Sequence, residues 1–147
     1  MAKLTIVVGL PGSGKSTYIQ RHKSAFTGIA IEDFHKGAFN NSPKVVDSKH
    51  FNELIANLNS NKDCIIADIA YCDEQKRCEL EIEINKKLNN VEFDWIFFEN
   101  DPEKCNENIQ KRNRANYKEE LEKVNLYKSI YIIPNDAKKL DIKTSSK

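Results

Sequence analysis

A short segment near the start of the chain restricts the folds that it can adopt. Residues 4–8 form a mostly apolar run rich in β-branched side chains, which is typical of a strand buried on both faces. The run leads directly into the segment Gly9-Leu10-Pro11-Gly12-Ser13-Gly14-Lys15-Ser16-Thr17. A helix is predicted to follow over residues 15–23. This context, with a strand before and a helix after, is what a phosphate-binding P-loop requires, so the sequence predicts an α/β protein that binds a nucleoside triphosphate.

The chemistry of phosphate binding explains the residue types of this loop. Glycines let backbone N–H groups converge on phosphate oxygens, and the positive end of the helix dipole lies beneath them. We expect the Lys15 ammonium to reach the β- and γ-phosphates and the Ser16 hydroxyl to hold Mg²⁺. The predicted phosphate-binding residues are Gly12, Ser13, Gly14, Lys15, Ser16 and Thr17.

Length and charge exclude several other classes of protein. The 147 residues are enough for one domain, and the 23 Lys and Arg nearly balance the 22 Asp and Glu. The net charge therefore gives the chain no overall electrostatic attraction to nucleic acid or membrane. A binding site for a polyanion must be formed by basic residues that lie close together. The four cysteines form no C-x-x-C pair, and the apolar runs are far too short to span a bilayer. We expect a single cytoplasmic domain over residues 1–147, with reduced thiols and no membrane contact.

Short apolar runs alternate with helix-like segments along the rest of the chain, which predicts a parallel sheet. We expect further strands over residues 28–32, 64–67, 91–98 and 130–133. Asp47 or Ser48 can cap a helix with Phe51, Leu54, Ile55 and Leu58 on its apolar face. Further helices are expected over residues 73–88 and from Asp101-Pro102 to Arg112 or Arg114. The loop over residues 34–43 is expected to face substrate, and the tail over residues 138–147 to be frayed.

A P-loop alone does not name the reaction, because motors, switches and kinases share it. The chain contains neither the D-x-x-G nor the Asn-Lys-x-Asp element expected of a GTPase. Its third strand ends in Asp68-Ile69 rather than in the adjacent acidic residues expected of a motor ATPase.

Four features of the sequence together resemble the P-loop kinases related to polynucleotide 5′-kinases and zeta-toxin-type kinases. They are the P-loop, Asp33 after the second strand, Asp68 after the third, and Lys111-Arg112-Asn113 on a late helix. The resemblance implies a P-loop NTPase three-layer sandwich, with helices on both faces of a five-stranded parallel sheet in the order 2-3-1-4-5. It also implies ATP and Mg²⁺ as cofactors and a short lid over residues 113–127. Among these elements only the P-loop is a specific motif.

The same resemblance implies roles for individual side chains. Asp33 is expected to accept the proton of the acceptor hydroxyl, with Glu32 as the alternative if the strand ends one residue earlier. Arg112 and Arg114 match the position of lid arginines that close over the phosphates of ATP. In the family the second arginine usually lies about one helical turn later, so either the helix ends between these two or only one of them acts.

Four further expectations concern the acceptor and the adenine. Asp68 either orders Mg²⁺ through water or orients a residue that contacts substrate, and Arg77 is a candidate for binding the acceptor or simply an exposed helix residue. Tyr71 is the aromatic residue best placed to stack on an acceptor. By analogy of fold, the loop Pro134-Asn135-Asp136 is expected to contact adenine.

The sequence leaves three functions open. The first is transfer of the γ-phosphate of ATP to the 5′-hydroxyl of a nucleic acid. The second is the same chemistry on a small molecule such as a nucleoside, nucleotide or sugar. The third is a nucleotide-binding regulatory ATPase module, which the unusual arginine spacing would suit.

Overall fold

The computed structural model describes residues 2–37 and 49–144. The proposed caps Asp47 and Ser48 lie outside these ranges. The strands are β1 (Lys3–Val8), β2 (Ala30–Ile31), β3 (Cys64–Ala67), β4 (Glu92–Phe98) and β5 (Lys138–Leu140). The helices are α1 (Lys15–His22), α2 (Lys49–Asn59), α3 (Glu74–Lys87), α4 (Pro102–Arg112) and α5 (Tyr117–Tyr127). No helix within the described ranges is long and apolar enough to cross a membrane.

The five strands form one sheet in the order β2-β3-β1-β4-β5, and all neighbouring strands are parallel. Helices cover both sides of the sheet, as in the P-loop NTPase fold. The predicted strand order is therefore confirmed. Because the carboxyl ends of parallel strands meet at one edge, the loops after β1, β2 and β3 lie together, and ligands bind at this edge in sheets of this kind.

The central strand β1 is buried along almost its whole length. Its residues from Leu4 to Val8 are all buried, and it pairs with β3 on one side and β4 on the other. The apolar face predicted for α2 is also found, with Phe51, Leu54 and Leu58 buried against the core. Asp101 caps α4, with Pro102 in its first turn, as the sequence predicts.

The last strand is not where the apolar pattern places it. The prediction of a strand over residues 130–133 is wrong: the turn after α5 ends at Ile130, residues 131–133 form no regular secondary structure, and Ile130 and Ile132 are exposed. The fifth strand is Lys138–Leu140, which pairs with the end of β4. Part of the segment expected to be frayed therefore belongs to the sheet. An edge strand has one solvated side and often carries lysines, so hydrophobicity does not mark it.

Tyr131 explains why the apolar run was misleading. Its side chain is buried, and its hydroxyl contacts the backbone oxygens of Val8 and Phe98 at the carboxyl ends of two strands. The run therefore supplies one anchoring side chain to the core rather than a strand. Burial raises the pKa of the Tyr131 hydroxyl, so it stays protonated and can donate to these carbonyls.

Candidate active site at the carboxyl edge of the sheet

The P-loop has the backbone of a phosphate cradle. Gly12 and Gly14 have φ angles of +83° and +115°, which side-chain-bearing residues rarely adopt. A Cβ atom at Gly12 would also lie 2.5 Å from the backbone oxygen of Cys105. The Ser13 hydroxyl is buried and has no hydrogen-bond partner within the described residues. A loop whose backbone requires glycine, and which holds an unpaired polar atom, fits a bound phosphate chain.

Lys15 lies in the first turn of α1 and points back over the loop. Its Nζ donates hydrogen bonds to the backbone oxygens of Gly9, at 2.5 Å, and Leu10, at 3.1 Å. Burial lowers the pKa of this ammonium below its ordinary value. The two carbonyls thus hold a cation that is poorly hydrated and available to phosphate oxygens.

A cleft of about 690 Å³ opens beside the P-loop. It brings together most of the predicted site residues, which come from distant parts of the chain. They include Lys15, Ser16, Asp33, Asp68, Arg112 and Arg114. Ser16 is exposed there, so its hydroxyl is open to a magnesium ion that arrives with the nucleotide.

Asp33 is exposed in the cleft, just beyond the end of β2. Its φ of +52° is in the left-handed region, which Asp tolerates better than most residues. The alternative base, Glu32, does not line the cleft, and its Oε2 accepts a hydrogen bond from Gln20 Nε2 at 2.8 Å. The geometry therefore favours Asp33 over Glu32 as the carboxylate that can reach a substrate.

Asp68 is buried at the end of β3 and binds backbone groups with both of its oxygens. Oδ2 accepts from the backbone N–H of His35, and Oδ1 accepts from that of Ala70, each at 2.8 Å. The carboxylate thereby ties the short segment after Asp33 to the sheet. Of the two roles considered for Asp68, this geometry favours the orientation of a neighbouring residue.

His35 also lines the cleft, and its Nε2 lies 2.9 Å from the Tyr71 hydroxyl. Burial lowers the pKa of the imidazole, partly offset by the Asp68 carboxylate, which favours the neutral form at neutral pH. Tyr71 itself is completely buried and packs edge-on against Trp95. The idea that Tyr71 stacks on an acceptor is wrong, because its ring is already covered.

The helix that carries Arg112 ends between the two candidate lid arginines. Arg112 is the last residue of α4, and Asn113 terminates the helix with a φ of +49°. The chain therefore turns before Arg114, and both side chains line the same cleft. The two-residue spacing does not place these arginines on opposite faces of one helix.

Arg77 does not line the cleft. Its side chain is buried on α3, where its guanidinium donates to the backbone oxygens of Tyr71, at 2.9 Å, and Ile132, at 2.8 Å. The guanidinium also lies 5.0 Å from the centre of the Phe97 ring. The structure thus places Arg77 where it joins α3 to the segment before β5.

The segment predicted to contact adenine also lies at a different place in the fold. Residues 134–136 precede β5 rather than follow it. The segment after β5 is tied towards the P-loop, because Asn108 Nδ2 donates to the backbone oxygens of both Gly12, at 2.9 Å, and Lys143, at 3.0 Å. Residues 141–144, and not residues 134–136, are therefore the segment that follows the fifth strand.

A family model described as an AAA domain matches residues 4–129 of the chain. The match includes the P-loop, Asp33, Asp68 and both arginines. The chain belongs to this AAA domain family. A comparison with curated proteins by sequence gives no match.

Solved structures share the fold of this AAA domain at low sequence identity. A gluconokinase from Sinorhizobium meliloti 1021 has a TM-score of 0.61 and 13% identity, covering 97% of this chain and 84% of that one. A protein titled APE1195 has a TM-score of 0.54 and 17% identity, covering 99% and 87% of the two chains. An uncharacterized protein from Eubacterium ventriosum ATCC 27560 has a TM-score of 0.52 and 13% identity, covering 96% and 88%. These structures therefore share the P-loop NTPase fold of this chain.

Several residues line the cleft of this AAA domain without having been predicted from the sequence, and Glu120 is the one that contacts the arginines. Glu120, in α5, contacts both candidate lid arginines. Its position within a polar helical segment rich in Lys and Glu gives no signal that separates it from its neighbours. Only the turn between α4 and α5 brings it back to Arg112.

Replacing Asp68 with asparagine is expected to destabilise the AAA domain by about 1–3 kcal/mol. The asparagine amide must direct an NH₂ group at one of the two backbone N–H donors, which leaves a buried donor without an acceptor. Urea denaturation measures the change. Asp73→Asn is the matched control, because Asp73 caps α3 through a single hydrogen bond to Gln75 N and Asn caps helices about as well as Asp. Equal stability of the two variants would contradict the role given to Asp68.

Proposed function

We propose that this protein is a phosphotransferase that moves the γ-phosphate of Mg-ATP to a hydroxyl group. The proposal depends on one observation: the cleft beside the P-loop is lined by a cation at the loop, an exposed carboxylate and two arginines. These residues are Lys15, Asp33, Arg112 and Arg114. A phosphoryl-transfer site requires these groups and little else, because its catalysis is mainly positioning and charge stabilisation.

Each group has a distinct part in the transfer. The Asp33 carboxylate orients the acceptor hydroxyl and takes its proton as the new O–P bond forms. Lys15 neutralises charge on the β- and γ-phosphates as the bond from the γ-phosphorus to the β-γ bridging oxygen breaks and ADP leaves. Arg112 and Arg114 stabilise the negative charge on the group in transit. Bound Mg²⁺ supplies further neutralisation between the phosphates, and the exposed Ser16 hydroxyl is available to hold it.

The 5′-hydroxyl of a nucleic acid is the first candidate acceptor. Two features that resemble the polynucleotide 5′-kinases support it. One is the presence of both Asp33 and Asp68 at the same edge of the sheet, and the other is the Arg-Asn sequence at the lid. An end-specific reaction needs contacts with only a few nucleotides, so it does not require a long basic surface.

A small uncharged hydroxyl compound is the second candidate, and the charges of the cleft favour it. Four basic side chains line the described part of the cleft, namely Lys15, Arg112, Arg114 and Lys123. Of these, Lys15, Arg112 and Arg114 are assigned to the triphosphate of ATP. Only Lys123 then remains, beside the carboxylates of Asp33 and Glu119. Proteins bind nucleic-acid phosphates chiefly with Lys and Arg, so this balance suits a neutral acceptor better than a polyanion.

The third function, a regulatory ATPase module, has lost its main support. It was motivated by the unusual spacing of the arginines, which the end of α4 at Arg112 accounts for.

An acceptor panel tests the proposal. The protein is incubated with γ-labelled ATP and Mg²⁺ against 5′-hydroxyl DNA and RNA, nucleosides, nucleotides and sugars. Label on oligonucleotides alone supports the first candidate, and label on small acceptors alone supports the second. Release of free phosphate without label on any acceptor would contradict a kinase. Lys15→Met protein serves as the background control, because it lacks the P-loop cation.

A further inference from the structure

The carboxylate of Glu120 lies between the two arginines of the cleft. Arg112 Nη2 donates to Glu120 Oε2 at 3.2 Å, and Arg114 Nη1 lies 3.9 Å from the same oxygen. The Glu120 side chain is 15% exposed, compared with 33% for Arg112 and 54% for Arg114. The acid is therefore the most buried member of the group, and the two cations extend from it towards solvent.

Local backbone structure fixes this arrangement. Arg112 ends α4, a turn follows at Asn113, and α5 begins at Tyr117 with Glu120 near its amino end. The helix dipoles favour a cation at the end of α4 and an anion at the start of α5. The ion pair thus lies where the two helices meet, and its partners are only eight residues apart.

The contacts leave the arginines free to bind phosphate. A guanidinium has five N–H donors in a planar fork, and Arg112 uses one of its donors on Glu120. Without the carboxylate, two adjacent cations on long side chains would repel each other and lose their common orientation. The structure therefore contains a group that brings the two arginines together without occupying their remaining donors.

We propose that Glu120 is the positioning residue of the lid: its carboxylate holds Arg112 and Arg114 together so that both meet the γ-phosphate of the nucleotide. This inference rests on the proposed phosphotransferase function. Glu120 does not touch the reacting atoms and acts only through the arginines. Its second oxygen, Oε1, is buried with no hydrogen-bond partner in the described chain. It can therefore accept a bond from Arg114 when the lid tightens on substrate.

The substitution Glu120→Gln tests this role, with Glu122→Gln on the exposed side of α5 as the matched control. We expect kcat/KM to fall about tenfold in Glu120→Gln and to stay unchanged in the control. Because the arginines are assigned to the γ-phosphate, ATP affinity should fall while ADP affinity stays the same. In an Arg112→Ala/Arg114→Ala background, Glu120→Gln should cause no further loss of kcat/KM or of ATP affinity.

Two results would overturn the inference. One is an equal loss of ATP and ADP affinity, which would indicate general damage to the site. The other is a loss in the double-alanine background as large as in the wild type, which would indicate a structural role in packing α5. The binding measurements need no acceptor, so they test the role of Glu120 even if the acceptor panel rejects a kinase.

Discussion

Replacing Lys15 with methionine is expected to reduce phosphoryl transfer by about 10³-fold or more, because a cation on the transferring group is worth at least this much in such reactions. The folded protein should be about as stable as the wild type, because two effects oppose each other. Lys15 has a lowered pKa because burial removes its ammonium from water, so the charged form is disfavoured in the folded state relative to the unfolded state at neutral pH, and methionine relieves this cost. Methionine also removes the two hydrogen bonds that Nζ donates to the backbone oxygens of Gly9 and Leu10, which offsets the gain.

The measurement combines turnover under saturating ATP with a thermal melt of the protein without nucleotide. Lys23→Met, an exposed change at the end of the same helix, controls for the loss of one positive charge and should leave both quantities unchanged. An active Lys15→Met protein would exclude the P-loop as the site of transfer. An inactive but strongly destabilised protein would contradict the view that this lysine serves function at the expense of stability.

The substitution Asp33→Asn is expected to lower kcat by about 10²–10⁴-fold, the usual contribution of a general base. ATP binding should be preserved, because Asp33 is assigned to the acceptor and not to the nucleotide. Asparagine suits this test because Asp33 has a φ of +52°, a conformation that asparagine adopts readily and alanine does not. The backbone of the cleft should therefore stay as it is, and only the acceptor of the proton is lost.

Glu32→Gln provides the matched comparison for this variant, since it removes the neighbouring carboxylate that binds Gln20 outside the cleft. Turnover should be retained. If Glu32→Gln is the inactive variant and Asp33→Asn is active, the assignment of the base is reversed. Titration with a non-hydrolysable ATP analogue shows whether either variant has also lost nucleotide affinity.

The sequence predicted the central part of the fold because strong local signals coincide there. The buried run before Gly9, the glycines at positions that need positive φ, and Lys15 at the start of α1 all agree with one structure. The same is true of the third strand, whose predicted bounds match Cys64–Ala67. Hydrophobic pattern and turn chemistry are reliable where a strand is buried on both faces.

The sequence failed where tertiary contacts decide. The edge strand Lys138–Leu140 has little to bury, so its pairing with β4 depends on the rest of the sheet and not on its own pattern. The run over residues 130–133 looked like a strand because it is Ile-Tyr-Ile-Ile, yet Tyr131 is buried while Ile130 and Ile132 are exposed. A short hydrophobic run carries no information about whether one side chain or all of them are buried.

The same limit applies to the lid and to Arg77. No periodicity reveals that α4 stops at Arg112, because an asparagine in the left-handed conformation ends the helix. Arg77 looked like a residue of an exposed helix face or of a binding site, and its side chain is buried and lies outside the cleft beside the P-loop. Its guanidinium satisfies two backbone carbonyls that are distant in sequence, a role that only the assembled fold defines.

The position of β1 in the sheet also bears on how the protein folds. This strand is synthesised before the other four strands, but Leu4 pairs with Cys64 and Lys3 pairs with Glu92. Contacts so distant in sequence form slowly, since a long loop must close before any pairing is gained. Until residue 98 has been synthesised, β1 is an apolar strand with an unpaired edge, and such an edge promotes aggregation. The architecture that places the phosphate loop at the centre of the molecule thus makes its assembly depend on late-synthesised sequence.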